Sequence, residues 1–174
     1  IFVGVQGGTN VGKSTIFNAL AGKILSPSLV VASATKHPLV FAHARWRTRF
    51  LEKPVFPGLE CRELEDPKEL ITGAERTDVL YFRFHDDGRL SNAALIDSPD
   101  FDSALETNAE GAAKTAAISD VTLFVTTAQK YKDRVLVDQL RRLLELKEEV
   151  VLVFNMVEEP IVFETLLDDL RAAR

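Results

Sequence analysis

The sequence predicts a three-layer α/β fold, with a mostly parallel sheet that includes one antiparallel hairpin strand. Three segments are almost entirely apolar, namely residues 1–5, 121–125 and 150–154, with Thr122 as the exception, and such runs are typical of parallel strands covered on both faces. Segments with helical spacing alternate with the strands, as they do in α/β proteins. The 174 residues fit one domain, and the apolar fraction of 46% is sufficient for a hydrophobic core.

The first elements of the chain are a strand, a helix and a second strand. Residues 1–6 form an apolar run that predicts a buried strand, and residues 14–23 carry apolar side chains at helical spacing. Gly22, near the end of this helix, is a stop signal. A polar loop is expected at residues 26–37, followed by a short apolar strand at residues 38–44.

Residues 44–76 are expected to form an irregular insertion between strands. Breakers such as Pro54 and Pro57 interrupt this segment, and no sustained apolar periodicity crosses it. A short helix at residues 67–72 is the exception, because Asp66 is a suitable N-cap ahead of a proline at the first helical position.

Two strands on either side of an Asp-Gly pair predict a β-hairpin. Residues 77–85 alternate between apolar and polar side chains, and residues 90–97 contain a second apolar run. Asp87 and Gly88 lie between them, and this dipeptide favours a tight hairpin turn. The hairpin accounts for the antiparallel strand of the predicted sheet.

The remainder of the chain returns to alternating helices and strands. An alanine-rich helix is predicted at residues 104–119 and a buried strand at residues 121–127. Residues 133–146 place leucine and valine at helical spacing, which predicts an amphipathic helix. A buried strand at residues 150–154 and a helix at residues 160–173 complete the prediction.

Composition and charge narrow the functional class. The 21 basic and 26 acidic residues give a net charge of −5, which argues against a broad nucleic-acid-binding face. Basic and aromatic side chains interleave at residues 45–49, but packing of Trp46 among solvated arginines is the preferred interpretation. The single cysteine, Cys61, cannot form an internal disulfide, which favours a reducing compartment and a buried or half-buried apolar role.

The apolar runs and the two ends of the chain bear on its location. The sequence has no apolar run of bilayer-crossing length and no signal peptide, which favours the cytoplasm. The chain starts within a strand at Ile1 and ends within a helical pattern at Arg174. We therefore expect residues 1–174 to be one domain of a longer polypeptide, in which other segments supply regulatory partners or a peripheral membrane location.

A glycine-rich segment carries the strongest functional signal. Residues 7–14, here named the phosphate loop, read G-G-T-N-V-G-K-S and fit the pattern G-x-x-x-x-G-K-[ST] between a strand and a helix. Its glycines allow backbone N–H groups to surround an anion at the positive end of the helix dipole. Lys13 can reach β- and γ-phosphates, and the Ser14 hydroxyl can bind Mg²⁺. These features predict the P-loop NTPase fold.

A carboxylate at the end of a second strand supports this interpretation. Asp97 closes the apolar run at residues 90–97 and precedes a helix. An aspartate in that place can reach the Mg²⁺ shell of a bound nucleotide. A turn or helix-cap role for Asp97 is the competing interpretation.

Four motifs resemble those of translation-factor-class GTPases, in the Era-like and dynamin-like branch. Residues 97–100 (D-S-P-D) are similar to D-x-P-G, and residues 10–15 (N-V-G-K-S-T) are similar to the phosphate loop of Era-like proteins. Residues 35–40 (T-K-H-P-L-V) resemble the T-R-x-P-L switch segment of dynamin-type proteins. Residues 155–158 (N-M-V-E) occupy the place of N-K-x-D.

The resemblance implies a GTPase domain that hydrolyses GTP to GDP with Mg²⁺ and changes partners with nucleotide state. The implied nucleotide-binding residues are Gly7, Thr9, Asn10, Val11, Gly12, Lys13, Ser14, Thr15, Asp97, Asn155 and Glu158. The implied metal ligands are Ser14, Thr35 and Asp97, and the implied catalytic residues are Lys13, Thr35 and Asn10. Asn10 would either hold a K⁺ ion that assists hydrolysis or only hydrogen-bond the first switch segment and accommodate the turn. The switch segments would be residues 26–38 and 97–110, and the nucleotide would promote a homodimer.

The chain also departs from the consensus of these GTPases. Asp100 replaces a glycine, which we expect to weaken triphosphate binding unless its carboxylate turns away or helps to hold metal or water. Phe101 stands where a water-orienting glutamine is usual. Met156 and Glu158 replace the lysine and aspartate of the base-binding motif. Two alternatives therefore stay open, namely a degenerate nucleotide-binding module with weak or no hydrolysis and an ATP-using P-loop enzyme.

Overall fold

The protein is described here by a computed structural model. The described residues are 1–26, 36–53, 55–56, 58–72, 78–102, 106–131, 133–147, 149–158, 164–165 and 168.

Within the described residues, seven strands form one sheet and four α-helices pack around it. The strands are β1 (Phe2–Gly7), β2 (Leu39–His43), β3 (Glu60–Glu63), β4 (Val79–His85), β5 (Ala94–Asp97), β6 (Val121–Thr127) and β7 (Val150–Asn155). The helices are α1 (Lys13–Ala21), α2 (Arg47–Glu52), α3 (Glu106–Ile118) and α4 (Arg134–Leu146). The strand order across the sheet is β3-β4-β2-β5-β1-β6-β7.

Helices cover both faces of the sheet. On one face, Phe17 of α1 packs in a core with Val5, Leu39 and Val125. The neighbouring strand residue Val40 points the opposite way, into a core that contains Phe50 of α2. Successive residues of a strand point to opposite faces, so α1 and α2 lie on opposite sides.

Helices α3 and α4 share the side of α2. Ala112 of α3 and Leu136 of α4 pack with Phe124 of β6, whereas the next strand residue, Val125, faces the α1 side. The three-layer α/β fold with a mostly parallel sheet is therefore confirmed.

The predicted hairpin between residues 77–85 and 90–97 is wrong in its pairing. Strand β2 lies between β4 and β5, pairing in parallel with β4 and antiparallel with β5. Asp87 does not make a two-residue turn, because its carboxylate accepts from the N–H of Arg89 at 3.0 Å and caps a 3₁₀ helix, Gly88–Leu90. The longer connection crosses the end of β2. The sheet does contain an antiparallel pair, but the strand that pairs with β5 is β2 and not β4.

The segment 44–76 contains two elements that sequence periodicity did not indicate. Helix α2 is short and buries Phe50, while β3 is an edge strand that pairs in parallel with β4. Charged residues make up most of β3, so it lacks the apolar signal of a central strand. The predicted cap is confirmed, because the Asp66 carboxylate accepts from the N–H of Lys68 at 2.9 Å at the start of a 3₁₀ helix, Pro67–Leu70.

Three further expectations can be compared with the structure. Cys61 is a half-buried free thiol, as expected, and burial raises its pKa to about 11. The helix predicted at residues 160–173 falls largely outside the described residues. No helix in the described part of the chain combines the length and the apolarity that a membrane span requires.

Candidate functional site

The candidate site lies at the edge of the sheet where the carboxyl ends of β5, β1, β6 and β7 meet. These four strands are mutually parallel, so the segments that follow them come together at one edge. The phosphate loop connects β1 to α1 at the centre of this edge. In open α/β sheets, this edge is where ligands bind.

Gly12 sets the backbone path of the phosphate loop into α1. It is the N-cap of α1 and has a φ angle of +89°, in the left-handed region that favours glycine. A Cβ atom at this position would lie 2.3 Å from Nδ2 of Asn155. The loop therefore requires glycine for two independent reasons, the backbone angle and the approach of Asn155.

Lys13, on the first turn of α1, is almost completely buried, with 5% of its surface exposed. Its ammonium group donates to the backbone oxygen of Gly8 at 2.8 Å and forms an ion pair with Asp100. The buried ammonium group of Lys13 therefore lies directly over the phosphate loop. Its charge is balanced by the carboxylate of Asp100, in the segment that follows β5.

Ser14 and Asp97 form the second part of the site. The Ser14 hydroxyl donates to Oδ2 of Asp97 at 2.9 Å, and the Ser26 hydroxyl donates to the same oxygen at 2.5 Å. Asp97 is fully buried, and among the described residues its other oxygen, Oδ1, has no hydrogen-bond partner. Burial raises the pKa of this carboxyl, against the opposing effects of Ser26, Lys13 and Ser14.

This arrangement fits a magnesium ion. Mg²⁺ prefers oxygen ligands and is usually held by one or two protein side chains together with substrate phosphates. Ser14 supplies a hydroxyl and Asp97 supplies a buried carboxylate oxygen without a partner. A cation near them would compensate a charge that burial otherwise disfavours.

Asp102 holds the opposite side of the phosphate loop. Its Oδ1 accepts from the backbone N–H of Thr9 at 2.6 Å and from the Thr9 hydroxyl at 2.7 Å. Lys130, after β6, donates to the backbone oxygen of Thr9 at 2.7 Å and lies 3.4 Å from Oδ2 of Asp102. Burial alone would raise the pKa of Asp102, but the Thr9 hydrogen bonds and the Lys130 charge outweigh it and lower that pKa.

The predicted base-binding motif reaches the loop through one residue. Asn155, the last residue of β7, donates from Nδ2 to the backbone oxygen of Val11 at 2.8 Å. Met156 has a φ angle of +57° and is 58% exposed, and Glu158 is also exposed. Asn155 is thus tied to the phosphate loop, whereas Met156 and Glu158 face solvent beside it.

The structure brings several of the predicted site residues together and leaves others apart. Lys13, Ser14 and Asp97 are adjacent, while Asn10 and Thr15 are exposed on the loop and first helical turn. Thr35 lies outside the described residues.

Sequence reasoning missed three contacting residues, namely Ser26, Asp102 and Lys130. Lys130 comes shortly after the strand predicted at residues 121–127, and that position was the available signal. The structure places this strand, β6, beside β1. Ser26 carried no signal beyond its place in a polar loop.

The contacts of Trp46 test one further expectation. Trp46 packs on Phe50, with ring centroids 6.4 Å apart, and donates to the backbone oxygen of Ser91 at 3.3 Å. This agrees with packing of the basic and aromatic run.

A family comparison decides the class of the domain. A family model described as 50S ribosome-binding GTPase matches residues 2–156. The chain belongs to this GTPase family. The resemblance to Era-like and dynamin-like GTPases is confirmed. No curated protein matches the chain.

Solved GTPase structures share the fold. An Aquifex aeolicus Era variant bound to GDP.AlF4- has a TM-score of 0.62 and 17% identity, covering 99% of this chain and 47% of that chain. Era in complex with MgGDPNP and nucleotides 1506–1542 of 16S ribosomal RNA gives the same values. An oligomerised bacterial dynamin pair has a TM-score of 0.60 and 14% identity, covering 96% of this chain and 29% of that chain. The chain thus spans about half the length of the Era structures.

Proposed function

We propose that this GTPase-family domain binds GTP and GDP with Mg²⁺, hydrolyses GTP to GDP, and changes the conformation of its switch segments with the nucleotide. The observation that carries the proposal is the contact between Ser14 and the buried Asp97 beside the buried ammonium of Lys13. These three side chains place a hydroxyl, a carboxylate and a cation around the start of α1. This is the chemistry that a magnesium-bound polyphosphate requires.

Phosphate binding would use the start of α1 and Lys13. Backbone N–H groups at a helix N-terminus and the helix dipole both favour an anion. Gly12 begins α1 in the left-handed conformation, which turns the chain into the helix directly at the loop. Lys13 would donate to the β- and γ-phosphates from its buried position.

The metal ligands would be Ser14, Thr35 and Asp97. When bound, Mg²⁺ neutralises charge that develops on the phosphate oxygens. Ser26 and Ser14 hold Oδ2 of Asp97 with their hydroxyls. The orientation of the carboxylate is therefore set by the protein, which leaves Oδ1 available.

Guanine recognition would begin at Asn155. Its hydrogen bond to Val11 ties the end of β7 to the phosphate loop, so a nucleotide whose phosphates lie on the loop would have its base near residues 155–158. The Met156 side chain would cover the base, and the Glu158 carboxylate would accept hydrogen bonds from guanine. The extra methylene of Glu158 compared with aspartate favours a modest affinity for the base.

A specific contact also favours a second candidate function, a nucleotide-binding module with weak hydrolysis. Asp100 forms an ion pair with Lys13, and Phe101 packs on Phe124 with ring centroids 5.8 Å apart. The side chain of Phe101 has no polar group that could orient the attacking water. Hydrolysis would depend on Thr35 and on help from Asn10.

Nucleotide titration tests the proposal. We expect the chain to bind GTP and GDP with Mg²⁺ and to bind ATP much more weakly. We expect Lys13→Ala to weaken GTP binding by ~100-fold, because one or two charge-assisted hydrogen bonds are lost. Lys23→Ala is the matched control, since Lys23 is an exposed lysine at the other end of the same helix. Equal GTP affinity for the Lys13 and Lys23 variants, or a preference for ATP, would contradict the proposal.

Potassium dependence tests the proposed role of Asn10. Asn10 is exposed on the phosphate loop with a φ angle of +60°, a position from which its side-chain oxygen can reach solvent cations beside the phosphates. We expect GTP hydrolysis to be ~10-fold faster in KCl than in NaCl at equal ionic strength, because a fixed cation there stabilises transition-state charge. Asn10→Ala should remove the difference. Identical rates in the two salts would show that Asn10 only shapes the turn.

A further inference from the structure

The Asp100 carboxylate lies in direct contact with the one lysine of the phosphate loop. We propose that Asp100 is a specificity-determining residue that lowers the affinity for GTP relative to GDP, because its carboxylate competes with the γ-phosphate for the Lys13 ammonium. The inference rests on the proposed function, since it requires nucleotide phosphates at the phosphate loop. It concerns the relative affinity for the two nucleotides, and not whether a nucleotide binds.

The first step is the occupancy of Lys13. The ammonium group has three N–H donors, and two of its acceptors in the structure are the backbone oxygen of Gly8, at 2.8 Å, and the Asp100 carboxylate. Both side chains of the ion pair are shielded from water, with 5% of Lys13 and 13% of Asp100 exposed. Screening by solvent is weak in such a place. A phosphate oxygen must therefore displace the carboxylate or accept its repulsion.

The second step concerns Lys130, another lysine at this edge. It is engaged by the backbone oxygen of Thr9 and by Asp102, so it is no more available to a phosphate than Lys13 is. The three carboxylates of Asp97, Asp100 and Asp102 all contact the phosphate loop or its first helical turn. The ammonium groups of Lys13 and Lys130 are each paired with one of these carboxylates. The described part of the site therefore holds no excess positive charge before a phosphate arrives, which makes a further anionic group costly.

The third step identifies which phosphate is affected. Asn155 contacts the loop at Val11 and lies against Gly12, which marks the base side. Asp100 contacts Lys13, and its neighbour Asp102 contacts the loop at Thr9, on the other side. The terminal phosphate of a bound nucleotide extends away from the base. The carboxylates of residues 100 and 102 therefore face the γ-phosphate, which GTP has and GDP lacks.

The segment 97–102 also explains how the competition can be relieved. Asp100 and Asp102 are two residues apart, and one contacts Lys13 while the other contacts Thr9. Both contacts hold the start of the predicted second switch against the phosphate loop. Displacing Asp100 with a γ-phosphate would remove one of these two contacts and leave the contact between Asp102 and Thr9 in place. The same residue would thereby couple GTP binding to a rearrangement of this segment.

The test is calorimetric titration of the full chain with GDP and with GTPγS, a slowly hydrolysed GTP analogue, in Mg²⁺. Asp100→Asn removes the charge and keeps the size, and Asp100→Gly removes the side chain. Asp87→Asn is the matched control, because the Asp87 carboxylate also forms an ion pair, with the exposed Arg89, in the connection after β4. Thermal melts of each variant establish that it is folded.

We expect both Asp100 variants to raise the ratio of GTPγS to GDP affinity by ~10-fold or more, since one full charge near the γ-phosphate is removed. The Asp87 variant should keep the wild-type ratio. An unchanged ratio with normal nucleotide binding would overturn this inference and leave the proposed function intact. A reduced ratio would mean that Asp100 helps to hold the metal, which also overturns it. Failure of the wild-type chain to bind either nucleotide would overturn the proposed function itself.

Discussion

Replacing Gly12 by alanine is expected to lower both the stability of the domain and its affinity for nucleotide. An L-residue at a φ angle of +89° costs about 1–2 kcal/mol. The added Cβ would lie 2.3 Å from Nδ2 of Asn155, so the hydrogen bond from Asn155 to Val11 must break or shift, at a further cost of about 1 kcal/mol. Thermal melting measures the loss of stability. GTP titration measures the loss of nucleotide affinity, which we expect to be ~10-fold or more.

Gly58→Ala is the matched control for this experiment. Gly58 has a φ angle of +74°, but a Cβ there would meet nothing within 4 Å, and it lies in the 44–76 segment away from the phosphate loop. This variant should therefore lose stability through backbone strain alone and retain its nucleotide affinity. If the Gly12 and Gly58 variants lost stability equally and both bound GTP normally, the contact between Asn155 and the phosphate loop would not contribute to nucleotide binding.

Asp97→Asn is expected to separate metal binding from folding. The carboxylate is fully buried, burial raises its pKa, and its Oδ1 lacks a partner among the described residues. Removing a buried charge of this kind relieves a desolvation cost, so the melting temperature without nucleotide should stay equal or rise. The increase in GTP affinity that Mg²⁺ produces should fall by ~10–100-fold, which is typical for the loss of a metal-site residue. Titrations with and without Mg²⁺ measure it.

The opposite pattern would assign Asp97 a structural role. A clear drop in melting temperature with an unchanged Mg²⁺ effect would mean that the carboxylate serves mainly as an acceptor for Ser14 and Ser26. Asp120→Asn is a useful control, because the Asp120 carboxylate accepts from the N–H of Phe2 at 2.7 Å at the other end of β1. That variant should leave the effect of Mg²⁺ on GTP affinity unchanged.

Local patterns were enough to predict most of the central elements. The apolar runs became β1, β6 and β7, and the leucines at helical spacing became α4. Strand β7 was expected to be buried, but it lies at the edge of the sheet and is partly exposed. These signals are local because burial on one or both faces repeats at the period of the element itself. Edge strand β3 carries no such signal, since its residues are mostly charged and only one side pairs.

The hairpin shows where local patterns fail. Alternation in β4 and the Asp-Gly pair predicted direct pairing with β5, but β2 occupies the position between them. The direction of a strand can be inferred from the segments next to it in the sequence. Which strand it pairs with depends on strands from distant parts of the chain. Residues of β2 are buried on both faces, and that burial favours a place inside the sheet.

The sequence by itself determined the phosphate loop, because the left-handed glycine, the lysine and the serine lie within a few residues of one strand and one helix. It also determined the place of Asp97 at the end of a strand. Only the tertiary structure decided that Asp100 pairs with Lys13 and that Asp102 and Lys130 hold Thr9, contacts that join residues 87, 93 and 121 positions apart. Such contacts depend on which strand ends lie side by side. Strand order is a property of the whole sheet, which no single segment of the sequence specifies.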